Sequence, residues 1–353
     1  MKILFDISHP AHVHFFKHPA RLLQQRGHEV LFTSRDKDIT LQLLDELGLQ
    51  HRVLSSMGGK GMVSLAVELL TRNRALYKVV KAFKPDVMAS IGGTFIAHVG
   101  FLSGVPSLVF YDTENATLQN AITYPLASCV IVPRCYQAWL PKKRHIRYAG
   151  YHELSYLAPN RFSPDKEIAI ANGLDPERPN YFIRLVSWQA NHDIGEGGWN
   201  VSLLEKVVAS LAENGRVHIS AEAGLPDQFA EANYRGDVAA VHHVMGFCEL
   251  FIGESATMAS ECAVLGVPAI YVANTGRGYT DEQEKRYKLV ANVAQLEWRT
   301  VAPALEKFLD YGEDQCQRLR QQLLADCVDV AEFVVESILD YRQMLATYQS
   351  GNH

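Results

Sequence analysis

A rhythm that runs twice constrains this chain more than any other feature. Short apolar runs alternate with amphipathic segments, the pattern breaks in a turn-rich stretch, and then it restarts. In the first half, runs at residues 2–6, 29–33, 52–54, 86–91, 105–110 and 129–132 read as strands. Helical patterns at 14–26, 38–47 and 62–83 lie between them. Apolar strands separated by helices predict a mostly parallel, doubly wound α/β sheet. The stretch 156–179 carries Pro159, Pro164, Pro176 and Pro179 and reads as a linker. Beyond it, strands at 181–186, 217–220, 249–252 and 268–272 alternate with helices at 201–213 and 257–265. Two helical segments, 303–326 and 328–347, close the chain. The expected organisation is a domain at 1–155, the linker 156–179, a second domain at 180–325, and a helix at 326–353 that crosses back onto the first domain. A length of 353 residues suits two domains. Ligands of open α/β sheets sit beyond the carboxyl ends of the strands, so two such domains would face each other across a cleft.

Composition enters through charge. Residues 1–152 hold 18 Lys and Arg against 10 Asp and Glu, a balance of +8; residues 153–353 hold 16 against 29, a balance of −13. Halves of opposite sign suggest different partners. No apolar run has the length of a membrane span, and residues 1–10 do not read as a signal peptide. The six cysteines form no C-x-x-C pair and read as free thiols in a reducing compartment. The expected location is cytoplasmic.

The sharpest motif runs from Leu250 to Tyr271. A strand ends at Gly253, and Glu254-Ser255-Ala256-Thr257 opens a helix. Backbone N–H groups and the helix dipole favour a phosphate there, and the hydroxyls add donors. Glu261 lies about one turn further in, where a carboxylate can accept from vicinal hydroxyls. The plainer reading makes Ser255 an ordinary N-cap and Glu261 a solvated helix residue.

Three other places carry chemistry. The segment 6–18 packs His9, His12, His14 and His18 into a loop and helix start, beside Ser8. A loop histidine can act as a base or touch a phosphate near neutral pH. His14 and His18 are spaced for a metal, but no Glu completes an H-E-x-x-H pattern. Gly92-Gly93-Thr94 and the segment with Asp112 and Glu114 both follow strands. The glycines allow close approach of a sugar or phosphate, and the carboxylates are candidate bases. In the second half, Arg184, Ser187, His192 and Asp193 follow a strand, as do Arg277, Asp281 and Glu282. The arginines suit phosphate and the carboxylates suit sugar hydroxyls.

The 250–271 block resembles the nucleotide-diphosphate motif of the GT-B superfamily, which includes non-hydrolysing UDP-N-acetylglucosamine 2-epimerases and the N-acetylglucosaminyltransferase that makes lipid II. Matched on Glu-x-x-x-x-Gly-x-Pro, Ser255 falls on that motif's phosphate-contacting serine and Glu261 on its ribose-holding glutamate. Ala256-Thr257 replaces a glycine pair. His12 is nearest to the lipid II enzyme's Gly-Gly-His, and Glu114, with Asp112, to its His-Glu-Gln-Asn-Ala. The epimerases carry a catalytic Asp in Gly-Asp-Thr, where this chain has Gly92-Gly93-Thr94. With Gly27-His-Glu-Val30, the opening and the Val186-to-Asp193 loop look closest to a GT-B family of unknown function, number 354. The resemblance implies two Rossmann-like domains around a cleft, a nucleotide diphosphate sugar, UDP-linked, as substrate, and no metal or other cofactor. It implies transfer of a sugar to a glycan or polyprenyl-phosphate acceptor held by residues 1–152. A 2-epimerase and a non-catalytic nucleotide-sugar-binding protein remain as alternatives.

The basic residues of 58–84 are Lys60, Arg72, Arg74, Lys78, Lys81 and Lys84, and 141–147 is a second basic run. A basic amphipathic helix can lie on anionic lipid at the inner face of a membrane, or simply cover the sheet with a solvated face. On the first reading, Arg72, Arg74, Lys78 and Lys81 together contact the acceptor or the membrane. No nucleic-acid motif accompanies them.

Overall fold

The computed structural model describes residues 1–36, 39–56, 62–186 and 199–350, with the backbone alone for 55, 56 and 62–66. The chain divides into two compact units, residues 1–156 with 328–353, and residues 157–327.

The first unit runs β1 (Lys2–Ile7), α1 (Pro10–Gln25), β2 (Glu29–Asp36), α2 (Thr40–Glu46), β3 (His51–Ser56), α3 (Met62–Phe83), β4 (Val87–Ile91), α4 (Thr94–Ser103), β5 (Ser107–Phe110), α5 (Thr117–Thr123), β6 (Cys129–Pro133) and β7 (His145–Tyr148). A turn of helix, α6 (Leu154–Leu157), ends it. Its strands form one parallel sheet in the order β3-β2-β1-β4-β5-β6-β7. Ile3, Leu4, Phe5 and Ile7 of β1 are fully buried, as a central strand covered on both faces requires. The order reverses between β1 and β4, the place where such sheets bind ligands.

The second unit contains α7 (Lys166–Ala171), β8 (Asn180–Leu185), α8 (Val201–Ala212), β9 (Arg216–Ala221), α9 (Val241–Met245), β10 (Leu250–Gly253), α10 (Ala256–Leu265), β11 (Ala269–Val272), α11 (Gly278–Glu282), β12 (Val290–Val293), α12 (Trp298–Leu309) and α13 (Glu313–Ala325). Its parallel sheet runs β12-β11-β10-β8-β9, reversing between β8 and β10. Gly253 ends β10 where a side chain would run into the Arg184 carbonyl.

α14 (Val330–Gln349) belongs to the first unit. Val328 N donates to Ala149 O at 2.8 Å, the Phe333 ring packs tilted on Tyr148 at 4.9 Å, and Arg26 pairs with Glu332 at 2.5 Å.

Local structure departs from expectation in places. The segment 303–326 is two helices broken at 310–312, and Pro303 lies inside α12 rather than at its start. The buried stripe Val301, Leu305 and Phe308 carries that helix across the proline. The stretch 156–179 holds α7, whose N-cap Asp165 accepts from Glu167 N and Ile168 N. Strands β7 and β12 and helix α5 had no strong pattern in the sequence. Arg72 is 1% exposed and ion-paired inside the unit, so it does not belong to a basic surface with Arg74, Lys78 and Lys81.

Candidate functional site

In the first unit the candidate residues gather at the carboxyl ends of β1, β4 and β5. Ser8, His9, His12, Gly92, Gly93, Thr94 and Asp112 all line a cavity of about 370 Å3 there. Its floor is set by Asp6, which is fully buried. Asp6 accepts from Thr33 Oγ1 at 2.8 Å and from Arg72 Nη2 at 3.0 and 3.2 Å. The same guanidinium donates to Ile7 O at 3.1 Å and lies 4.3 Å from the Phe95 ring centre. A buried pair that also holds a backbone carbonyl fixes the start of the β1–α1 loop.

The loop places its histidines differently. His9 is the N-cap of α1, and its Nδ1 accepts from Ala11 N at 3.2 Å. Ser8 N donates to His12 Nδ1 at 3.4 Å, which leaves the His12 proton on Nε2. Although part of its surface remains open to the cavity, enclosure of the ring and then the neighbouring His9 push its pKa down to about 3, against the opposing charge of Asp112. His12 is therefore a neutral donor at physiological pH. His14 sits further along α1 with its ring 5.5 Å from Tyr156, away from the cavity lining.

Asp112 follows β5. Its Oδ2 lies 3.2 Å from His152 Nδ1, and Thr113 Oγ1 donates to its Oδ1 at 2.9 Å. Burial alone would raise its pKa, but the His152 imidazole and these hydrogen bonds outweigh burial and hold it at about 2. His152 is buried against Phe15 at 4.5 Å, and its Nε2 meets no hydrogen-bond partner among the described residues. Glu114, half-buried two residues on, is not part of the lining. Gly92 and Gly93 have φ of 73° and 40°, the left-handed region that favours glycine. Gly92 O accepts from Tyr111 Oη at 2.9 Å and Gln119 Nε2 at 3.2 Å. Thr94 Oγ1 bonds Thr123 Oγ1 at 2.8 Å.

In the second unit, Arg184, Gly253, Glu254 and Ser255 meet at the carboxyl ends of β8 and β10. Ser255 is the N-cap of α10, its Oγ accepting from Met258 N at 3.3 Å. Ala256 is buried and Thr257 half-buried in the first turn. Glu254 Oε2 accepts from Val186 N at 2.7 Å and so ties the two strand ends. Arg184 donates to Ser220 Oγ and Glu222 Oε1, both at 2.8 Å, which offsets its charge locally. Glu261 is not a solvated residue. It is 6% exposed, with Oε1 2.9 Å from His242 Nε2. Arg277 folds onto Gly276 O at 2.9 Å, Asp281 lies on α11, and Glu282 pairs with Arg286 at 3.2 Å. Ser187, His192 and Asp193 lie outside the described residues. A larger cavity of about 640 Å3, lined by Arg216, His218 and Arg235, lies where β9 begins and contains none of the candidate residues.

Sequence reasoning missed Arg72, His152 and His242. Arg72 had a signal, since it shares helical phase with buried Leu76 and Val79. His152 follows β7, whose alternating His145-Ile-Arg-Tyr148 was hidden in a basic run. His242 precedes Glu261 by 19 residues on another element and had none.

The chain resembles known proteins at two levels. An uncharacterized protein of Methanocaldococcus jannaschii is 22% identical over 284 residues, covering 76% of this chain and 81% of that protein. The UDP-N-acetylglucosamine–N-acetylmuramyl-(pentapeptide) pyrophosphoryl-undecaprenol N-acetylglucosamine transferase of Citrifermentans bemidjiense is 33% identical over 102 residues, 27% of this chain and 28% of that enzyme. Among solved structures, the UDP-GlcNAc 2-epimerase of Neisseria meningitidis superposes with a TM-score of 0.67 at 11% identity, covering 96% of this chain and all of that one. Acinetobacter baumannii MurG superposes at 0.58 with 16% identity over 96% of this chain and all of that one. Two doubly wound parallel sheets with these neighbours make the fold GT-B-like. Residues 1–277 match the family described as protein of unknown function (DUF354), and the chain belongs to that family.

Proposed function

We propose that this chain transfers a sugar from a UDP-sugar to an acceptor hydroxyl on a glycan or polyprenyl-phosphate carrier. The observation that carries the reading is Asp112, an ionised carboxylate oriented by His152 beside neutral His12 in the first unit's cavity. The acceptor hydroxyl would bond to Asp112 Oδ and give it its proton as the new C1–O bond forms. His12 Nε2–H would donate to the substrate. The bond from C1 to the diphosphate oxygen breaks, and UDP leaves with the electron pair. Within the second unit, the amino terminus of α10 suits a diphosphate. Ser255 and the first N–H groups of that helix, with Arg277, would hold the diphosphate, and Glu261 the ribose. The helix dipole serves where some transferases use a metal, so no cofactor is required. A polyprenyl-linked acceptor would be met at a membrane surface. The epimerase reading is weaker, because this chain has Gly92-Gly93-Thr94 where the epimerases it resembles carry a catalytic Asp.

The test has two arms. UDP should raise the melting temperature more than GDP, ADP or CMP, and Glu261→Gln should remove that shift. Slow hydrolysis of UDP-sugars, assayed in EDTA, should fall by about 100-fold or more in Asp112→Asn with the UDP shift intact. No shift with any nucleotide, or conversion of a UDP-sugar to its 2-epimer without acceptor, overturns the proposal.

A further inference from the structure

The outer helices of the first unit expose apolar side chains to an unusual degree. α4 and α5 together carry no charged residue, in a chain that is 21% charged. Phe101 and Leu102 of α4 are each 69% exposed, and Leu118 and Ile122 of α5 are 76% and 39% exposed. These helices touch: Thr94 bonds Thr123, and His98 Nε2 lies 3.0 Å from Ile122 O. A helix that is apolar all round normally belongs to a core or a lipid phase, yet this one lies at the surface.

Cations stand on both sides of that strip. α3 packs along α4, with Asn73 bonded to His98 at 3.2 Å. Leu70, 71% exposed, shares one helical stripe of α3 with exposed Arg74, Lys78 and Lys81. On the other side Trp139, 61% exposed, lies 5.5 Å from Tyr124 at the end of α5, and exposed Lys142 and Lys143 follow it. The only acid on α3 is Glu68, which is paired with Arg35 at 3.0 Å.

We infer that this face docks on an anionic lipid surface, with Phe101, Leu102, Leu118 and Trp139 entering the interface and Arg74, Lys78, Lys81, Lys142 and Lys143 meeting the headgroups. Apolar side chains flanked by cations complement a negative bilayer, which rewards both terms at once. A second protein copy would bring five like cations against their own images, an arrangement that symmetry makes repulsive. The inference stands apart from sugar transfer, since it uses no residue of either candidate site.

The experiment is sedimentation of the full chain with sucrose-loaded vesicles. Vesicles with about one third phosphatidylglycerol should bind at least tenfold more protein than pure phosphatidylcholine, and raised salt should reverse this. Lys78→Glu with Lys81→Glu should weaken binding by about fivefold or more per charge. Phe101→Ser with Leu102→Ser and Leu118→Ser should weaken it at least tenfold and leave the melting temperature and any UDP shift unchanged, because those side chains are exposed. Failure to bind anionic vesicles, or binding by both variants equal to that of the wild type, overturns the inference. So does concentration-dependent self-association that the serine variant abolishes, which would give the face to a second copy. Vesicle binding without a nucleotide shift would leave the inference standing and defeat only the transferase proposal.

Discussion

Protonating His12 would put a cation into an enclosed site beside the His9 ring, in a loop already held by the Arg72 guanidinium. The folded chain therefore refuses a proton that the unfolded chain accepts at the ordinary histidine value of 6.5. Stability falls as pH drops through the window from 6.5 to about 3. Asp112 acts in the same direction lower down: its depressed pKa contributes stability above about 4 that is lost as pH falls towards 2. His12→Asn cannot titrate, so its melting temperature should fall less than that of the wild type between pH 7 and pH 4. Thermal melts across that range check this, and parallel slopes would contradict it. At the residue scale the sequence placed several candidates at the strand ends and helix starts where the structure has them. Asp112 follows a strand, Ser255 caps α10 and Glu261 lies within it, positions that strand ends and helix starts announce in sequence. His152 and His242 were not, because what makes them matter is a partner brought close by tertiary folding.

The β1–α1 loop depends on a helix that lies far from it in sequence. Arg72 of α3 reaches Asp6, Ile7 O and Ser8 Oγ, so one side chain joins the strand end to the histidine loop. Arg72→Met should destabilise the chain by about 3–5 kcal/mol, because Asp6 is left buried and unpaired. Asp6→Asn with Arg72→Met should recover part of that loss. Chemical denaturation of the two variants measures it, and a single-variant loss below about 1 kcal/mol would show that Asp6 finds water or another partner. Charge counting along 58–84 could not reveal this, since it pooled Arg72 with Arg74. Helical phase separates them: Arg72 falls with buried Leu76, Val79 and Val80, whereas Arg74, Lys78 and Lys81 fall together on the outside. The break between α12 and α13 was hidden for a related reason. Proline reads as a helix start, and the buried stripe of α12 carries the helix through Pro303 instead.

For the whole molecule, the two-fold repeat of strand and helix was plain in sequence because burial on both sheet faces produces continuous apolar runs. Strand order was not, since it depends on crossovers that leave no local mark. α14 packs on α1 and β7, and its buried side chains Val330, Ala331, Val334, Val335 and Ile338 complete the first unit's core. A chain stopped after residue 327 should keep the second unit folded and lose the first. Protease digestion followed by mass spectrometry would find a resistant fragment near 157–327, and a resistant 1–156 would refute the expectation.

That packing sets a timetable for synthesis. At about 5–20 residues per second, roughly 10–35 s separate the emergence of Tyr156 from that of Val328. During that interval the second unit is being made, while α1 still shows the apolar face that α14 will cover. The newborn chain thus carries an unfinished first unit until α14 leaves the ribosome, and that is the period in which a chaperone has most to hold.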